Sequence, residues 1–163
     1  KKTRLIDTDM RKPMMHKLFN LPNFQGLSSY LSGDKENLEE LIIECEHSGT
    51  FLLPSGPIPP NPSEMLNSHK MEQLIEKSKL QSEITIIDAP PLLPVTDALL
   101  LSQKVDGVLM VAGTNQTKKE VFTKGIERLQ QVNANILGTV LNRYPVNKSS
   151  YNTYENYYYY GEE

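Results

Sequence analysis

Five short apolar segments are spread along the chain, separated by longer stretches of mixed polarity. Most are nearly unbroken runs of Val, Ile, Leu and Thr, a composition typical of strands that are covered on both faces of a parallel sheet. The uniformly apolar fourth segment predicts a strand at the centre of the sheet. We predict strands at residues 4–7, 50–53, 84–88, 108–112 and 136–141.

The intervening stretches carry apolar residues at helical spacing. Asn37 and Ser63 are suitable N-caps, and Thr117 with Glu120 three residues later matches a capping box. Gly33 is a typical helix stop after a short helical piece. We predict helices at residues 38–45, 63–79, 96–103 and from 117 onward, with short helical pieces at 14–19 and 27–31.

Strands that alternate with helices predict right-handed βαβ crossovers and a parallel sheet with helices on both faces. The chain is therefore predicted to have an α/β fold. Its 163 residues, 38% hydrophobic and 23% charged, suit a single globular domain. We predict this domain at residues 1–146, followed by a flexible, tyrosine-rich tail at residues 147–163.

Composition excludes several classes of function. Seventeen basic and twenty acidic residues give a net charge of −3, without the concentrated positive surface of a nucleic-acid-binding protein. The single Cys45 and the scattered His16, His47 and His69 do not match a zinc site, and the lone cysteine suits a reducing, cytosolic setting. The sequence contains no run of about 18 apolar residues, so no membrane span is predicted in it.

Carboxylates follow two of the predicted strands. Asp7 and Asp9 are one residue apart at the end of the first strand, so both can face the same crevice, and Asp88 ends the third strand. In open parallel sheets, ligands bind at the carboxyl ends of the strands. Nucleotide sites use an aspartate in this position to hold Mg²⁺, often through water. The three carboxylates are therefore a candidate cluster.

A simpler interpretation remains for each of these acids. Two aspartates at this spacing more often only cap and solvate a loop. The second strand that ends in an acid is what favours a shared binding site. Asp97 either caps the helix at 96–103 or joins the site, and we favour the cap.

Two stretches resemble motifs of the bacterial tyrosine kinases. Residues 7–13 (DTDMRKP) resemble the Walker A′ motif of that family, and residues 84–91 (ITIIDAPP) resemble its Walker B motif. Further agreement comes from the proline-rich residues 53–64, from the strand entry at 105–111 and from the tyrosine-rich tail. The resemblance implies a P-loop NTPase-like fold and kinase activity.

One defining motif of P-loop proteins does not occur in the sequence. Nothing matches G-x-x-x-x-G-K-[ST], and the nearest candidate, residues 113–119, lacks the second glycine and the Lys-Ser/Thr ending. In the resembling family this loop lies just upstream of the position of Lys1. We therefore expect the chain to be the carboxyl-terminal part of a kinase domain, inactive by itself.

The resemblance also implies roles for individual residues. Asp9 and Asp88 would organise Mg²⁺, while Asp7 would contact ATP and accept the proton of the incoming tyrosine. Arg11 would contact ATP, and Arg11 and Lys12 would offset phosphate charge or lie at a subunit interface. Asn142 follows the last strand, where an amide suits an adenine edge, although a simple turn is equally expected.

The tail contains six of the eight tyrosines of the chain. Such a segment is either an interaction segment that binds other molecules or, by resemblance, the autophosphorylation cluster of these kinases. Each phosphate would add nearly two negative charges. The expected sites are Tyr151, Tyr154, Tyr157, Tyr158, Tyr159 and Tyr160.

The partners and location follow from the resemblance alone. They are a transmembrane activator of the polysaccharide co-polymerase type, other copies of the chain in a homo-oligomeric ring, and a cognate tyrosine phosphatase, but no nucleic acid. The expected location is cytoplasmic, at the inner face of the membrane, and the expected process is capsular or exopolysaccharide synthesis. Two alternatives stay open: a partition or septum-positioning ATPase, which would lack the tyrosine tail, and a non-catalytic fragment that is only a phosphorylation substrate.

Overall fold

A computed structural model describes residues 2–45 and 49–145, and the predicted tyrosine tail at 147–163 lies outside these residues. All five predicted strands are present, and a further short strand occurs at the edge of the sheet. The strands are β1 (Thr3–Asp7), β2 (Ile43–Cys45), β3 (Thr50–Leu53), β4 (Ile84–Asp88), β5 (Val108–Gly113) and β6 (Ile136–Asn142). The helices are α1 (Met15–Leu18), α2 (Leu27–Ser32), α3 (Pro62–Leu66), α4 (His69–Gln81), α5 (Asp97–Ser102) and α6 (Lys119–Gln131).

The strands form two sheets that are parallel apart from the added edge strand. The larger sheet has the order β2-β3-β1-β4, in which only β2 is antiparallel to its neighbour, and the smaller sheet pairs β5 with β6. The register of β1 and β4 places Asp7 directly beside Asp88. The α/β architecture is thus as predicted, and its register brings the two acid-tipped strands together.

The main core lies between the larger sheet and helices α2 to α5. Ile6 of β1 and Leu53 of β3 are buried against Met71 and Leu74 of α4, all at 1% exposure or less. Unbroken apolar strands and an i, i+3 helix stripe produce this packing. The carboxyl ends of β1 and β4 are therefore held on a rigid base.

The predicted helix at 38–45 is wrong. Only a single 3₁₀ turn forms at Glu39–Leu41, and the chain then enters β2. Ile43 lies opposite Leu52, and the thiol-bearing Cys45 opposite Thr50, so the segment gains backbone pairing at the sheet edge. The backbone pairing with β3 outweighs the local helical pattern here.

The predicted helix at 63–79 is in fact two helices. Helix α3 begins after Asn61, and α4 begins after Ser68, whose hydroxyl accepts the Met71 N–H at 3.2 Å. Ser63 is therefore inside the first turn of α3 and is not an N-cap. Because Ser68 caps a new helix, the chain can turn between α3 and α4.

The predicted capping box at the start of α6 is also wrong. Lys118 holds the N-cap position without a side-chain hydrogen bond, and the Thr117 hydroxyl instead accepts the Gly113 N–H at 3.0 Å. Thr117 thus closes the turn after β5.

Strand β5 is not central among the strands that the structure describes. It pairs with β6 on one side, while its other edge and the outer edge of β4 have no strand partner within residues 2–45 and 49–145. Apolar side chains of β4 to β6 are correspondingly exposed, including Ile86 at 52%, Leu109 at 59% and Val111 at 60%. Within the same residues, no helix is long and apolar enough to cross a membrane.

Candidate active site at the carboxyl ends of β1 and β4

A threonine ties the two acid-tipped strands together. The Thr8 N–H donates to the Asp88 carbonyl at 2.9 Å, and the Thr8 hydroxyl donates to the same oxygen at 2.5 Å. Thr8 is fully buried, so both hydrogen bonds are shielded from water. The spacing between the carboxylates of the two strands is therefore set by a rigid backbone contact.

Asp7 is a buried carboxylate with two backbone donors. Its side chain is 0% exposed and accepts the Asp9 N–H at 3.1 Å and the Met15 N–H at 3.3 Å. Burial raises the pKa of Asp7 to about 6, and the negative charges of Asp88 and Asp9 act in the same direction, against the two N–H donors. This is the pKa range in which a carboxylate is an effective proton acceptor near neutral pH.

Asp9 lies on the short segment that leaves β1. Its Oδ1 atom accepts the backbone N–H groups of Arg11 at 3.2 Å and of Lys12 at 3.0 Å. The turn of residues 9–12 thus fixes the direction of this carboxylate. Asp9 as a whole is partly exposed.

Asp88 completes the acidic group. Burial raises its pKa, and the negative charge of Asp9 adds to the shift. Negative charge concentrated at the ends of β1 and β4 favours a cation, and carboxylate oxygens are the donors that Mg²⁺ prefers. Among the described residues, no group of three or more His, Cys, Asp or Glu side chains is arranged to ligate a metal. The two carboxylates predicted to hold Mg²⁺, Asp9 and Asp88, are oxygen donors of the kind that this ion binds while it keeps several waters.

Arg11 is paired with Asp97. Its Nε donates to Asp97 Oδ2 at 2.7 Å and its Nη2 donates to Asp97 Oδ1 at 3.2 Å and to Ser63 Oγ at 3.0 Å. Thr96 holds the N-cap position of α5 without a side-chain bond, and Asp97 is the first residue of the helix. The Asp97 carboxylate is thus used for Arg11, which the favoured capping role did not predict.

The remaining predicted site residues are Lys12, Asn142 and the six tail tyrosines. Lys12 is exposed, and its backbone N–H is part of the Asp9 turn. The Asn142 side-chain oxygen Oδ1 accepts the Arg143 N–H at 2.8 Å, as expected for a turn, and Asn142 ends β6, which belongs to the smaller sheet. The six tail tyrosines lie outside the described residues.

The proline-rich loop after β3 is braced against the loop before α2. The Leu27 N–H donates to the Pro54 carbonyl at 2.8 Å, and the Asn23 side chain forms hydrogen bonds with both backbone groups of Gly56. A Cβ atom on Gly26 would lie 2.1 Å from the Pro54 oxygen, so only glycine fits there. This bracing leads the loop to α3 and so positions Ser63 beside Arg11.

Sequence reasoning missed the roles of Thr8 and Ser63 at this site, and it ranked a site role for Asp97 below helix capping. Thr8 stands between two acids, Ser63 was interpreted as a cap, and Asp97 was assigned to its own helix. The spacing of Thr8 within Asp-Thr-Asp was the only available signal. The contacts of Ser63 and Asp97 join residues more than 30 positions apart, which no local pattern reports.

Comparison with known proteins identifies the relatives of the chain. No family model matches it. The tyrosine-protein kinase YwqD of Bacillus subtilis is 37% identical over 161 residues, covering 99% of this chain and 65% of YwqD. The putative tyrosine-protein kinase CapB of Staphylococcus aureus is 36% identical over 162 residues, covering 99% of this chain and 69% of CapB. The chain belongs to the bacterial tyrosine-protein kinase family.

Solved structures agree with this assignment. The kinase domain of the Escherichia coli tyrosine kinase Etk superposes with a TM-score of 0.86 at 34% identity, covering 91% of this chain and 58% of that domain. The cell-division ATPase MinD of Pyrococcus furiosus superposes with a TM-score of 0.72 at 22% identity, covering 90% of this chain and 61% of MinD, and shares the fold alone. The fold is therefore the P-loop NTPase-like α/β fold of these kinase domains. The chain spans 65% of the length of YwqD and 19% of the whole Etk protein.

Proposed function

We propose that this chain is the carboxyl-terminal part of a protein-tyrosine kinase that uses Mg²⁺·ATP to phosphorylate its own tyrosine tail. The observation that carries the proposal is the pairing of Asp7 with Asp88 at the ends of β1 and β4, beside Asp9. The pairing occurs in a chain that is 37% identical to a named tyrosine-protein kinase. Paired carboxylates at parallel strand ends supply both a metal site and a proton acceptor.

Asp9 and Asp88 would hold the metal. Their oxygens and the raised pKa of Asp88 fit a divalent cation with several retained waters. When bound, Mg²⁺ neutralises charge on the β- and γ-phosphates of the nucleotide. Arg11 would add positive charge near the phosphates, and Asn142 would contact the adenine base.

Asp7 would accept the proton of the incoming tyrosine hydroxyl. A carboxylate with a pKa near 6 is ionised at neutral pH and still basic enough to take that proton as the phenolic oxygen attacks the γ-phosphorus. Because Asp7 is 0% exposed, access of a phenol to its carboxylate would require local movement of the chain.

The phosphate loop would come from residues before Lys1. The chain has no G-x-x-x-x-G-K-[ST] motif, and the described edges of β4 and β5 are unpaired, with exposed apolar side chains beside them. A further parallel strand with its helix would cover such a surface. The 163-residue chain alone is therefore expected to be inactive, although another kinase molecule could phosphorylate it.

The tail would be phosphorylated between neighbouring protomers. The tail would reach the site of the next subunit in a homo-oligomeric ring, and each phosphate would add nearly two negative charges. Accumulated charge on several tails would repel the subunits and loosen the ring. Equal self-association before and after phosphorylation, measured by light scattering, would exclude this cycle.

The cellular setting completes the proposal. A transmembrane activator of the polysaccharide co-polymerase type would hold the kinase at the cytoplasmic face of the membrane, and a cognate tyrosine phosphatase would reverse the reaction. The output would be control of capsular or exopolysaccharide synthesis.

Phosphotyrosine mapping by mass spectrometry tests the activity. The upstream-extended domain, its Asp7→Ala and Asp88→Ala variants and the present chain are each incubated with Mg²⁺·ATP. We expect phosphate on the tail tyrosines of the extended wild-type domain only. Asp106→Ala, which removes an exposed carboxylate, is the matched control and should retain activity.

Two results would support other functions. ATP hydrolysis without phosphotyrosine would favour the partition or septum-positioning ATPase, whose fold the chain shares. Absence of phosphotyrosine in the extended wild-type domain by itself, together with phosphorylation of the present chain by a separate tyrosine kinase, would favour a non-catalytic substrate fragment.

A further inference from the structure

A three-residue contact joins three separate segments around the candidate site. Arg11 lies after β1, Ser63 in the first turn of α3 and Asp97 in the first turn of α5. Arg11 binds both oxygens of Asp97, at 2.7 and 3.2 Å, and the Ser63 hydroxyl donates to Asp97 Oδ1 at 2.5 Å. Arg11 Nη2 also donates to Ser63 Oγ at 3.0 Å, which closes the group.

Burial makes this contact stronger than a surface ion pair. The Asp97 side chain is 1% exposed, whereas Arg11 is 39% exposed. Burial by itself raises the pKa of Asp97, but the hydrogen bonds from Arg11 and Ser63 outweigh it and lower the pKa. A bidentate arginine–carboxylate pair also defines the orientation of both groups.

The contact continues through the backbone to Asp9. The N–H groups of Arg11 and Lys12 both donate to Asp9 Oδ1, at 3.2 and 3.0 Å. The position of these two N–H groups depends on where the Arg11 side chain is anchored. Asp97 is therefore linked to Asp9 by one side chain and one turn of backbone.

We propose that Asp97 and Ser63 are positioning residues that hold the 9–12 turn through Arg11 and thereby aim the Asp9 carboxylate. This inference rests on the proposed function, in which Asp9 holds the metal. It also changes the expected role of Arg11. While the pair is intact, Nε and Nη2 of Arg11 are occupied by Asp97 and Ser63, so its first task is to anchor the turn.

Amide hydrogen exchange on the full 163-residue chain tests the linkage without metal or activity. In Asp97→Asn, the Arg11 and Lys12 N–H groups should exchange about tenfold faster, the change expected when a hydrogen bond to a charged group is lost. The amides of β1 should be unchanged, which confirms that the core is intact. Asp106→Asn, an exposed aspartate paired with Lys79, is the control and should leave both turn amides unaffected.

A second measurement relates the linkage to the metal. In the upstream-extended domain, Asp97→Asn should raise the Mg²⁺ concentration for half-maximal activity about tenfold, and Ser63→Ala should raise it less. Arg11→Ala combined with Asp97→Asn should be no worse than the more severe single variant, because both act through one contact. Direct binding of Mn²⁺, followed by its electron paramagnetic resonance, should weaken in the same order.

Two results would overturn the proposal. One is unchanged exchange of the Arg11 and Lys12 amides in a folded Asp97→Asn chain. The other is faster exchange with wild-type Mg²⁺ and Mn²⁺ requirements, which would leave the contact purely structural. Failure of the kinase proposal is distinguishable, because it would show as missing phosphotyrosine in the wild-type extended domain while the exchange and Mn²⁺ results remain interpretable.

Discussion

The buried charge of Asp7 should make the stability of the chain depend on pH in a defined way. The ordinary pKa of the carboxyl is 3.8 and burial raises it to about 6 in the folded chain. The folded state therefore holds this proton more tightly than the unfolded state does. The stabilisation that protonated Asp7 gives the folded chain is fully present below pH 3.8 and is lost as the pH rises through about 6.

The magnitude follows from the two pKa values. Each pKa unit corresponds to about 1.4 kcal/mol, so ionised Asp7 should lower the free energy of unfolding by about 3 kcal/mol at neutral pH. Asp7→Asn removes the charge and keeps the shape of the side chain. It also places an NH₂ group against one of the two backbone donors from Asp9 and Met15, which adds a cost that does not vary with pH.

The assay is urea unfolding of the wild type and of Asp7→Asn between about pH 4 and pH 8, in buffer containing a chelator. The difference between the two free energies of unfolding should shift in favour of the variant by about 2 to 3 kcal/mol as the pH rises. Asp34→Asn, which alters an exposed aspartate, is the control. A difference that stays constant over this range would refute the argument that burial and neighbouring carboxylates disfavour the charge.

Three further substitutions test the packing that supports the site. Thr8→Val should destabilise the chain by about 1 kcal/mol in urea unfolding, because the buried hydroxyl bond to the neighbouring strand is lost. Gly26→Ala should destabilise it by about 3 kcal/mol or prevent folding, measured by thermal unfolding, because the new methyl overlaps the Pro54 carbonyl. Leu74→Ala should cost about 2 to 5 kcal/mol in urea unfolding, since Leu74 is fully buried, while Leu80→Ala on the same helix should cost little because Leu80 is 88% exposed.

Each of these predictions has a contradicting outcome. Thr8→Ser keeps the hydroxyl, so equal losses for serine and valine would show that the hydrogen bond is not the cause. Gly138 has open space around it, so Gly138→Ala as unstable as Gly26→Ala would argue against a steric origin. Equal effects at the two leucines would mean that α4 does not pack on the sheet as described.

The positions of most strands and the acidic tips were determined by the local sequence. Short apolar runs indicate the strands of a parallel sheet, and an acid placed straight after such a run lies at the carboxyl end of the strand. Asp7, Asp9 and Asp88 were found for this reason. The family resemblance rested on the same residues, and the relatives confirm it.

Other features were decided only by the tertiary structure. Residues 43–45 have a helical pattern nearby, yet they pair with β3 because the sheet edge offers backbone partners. Asp97 suits a helix start, yet it binds Arg11, 86 positions away, because folding buries both oxygens beside the guanidinium. The pKa of Asp7 depends on desolvation and on Asp88 across the sheet. Such contacts join distant residues, and their energies depend on burial, so a local pattern cannot report them.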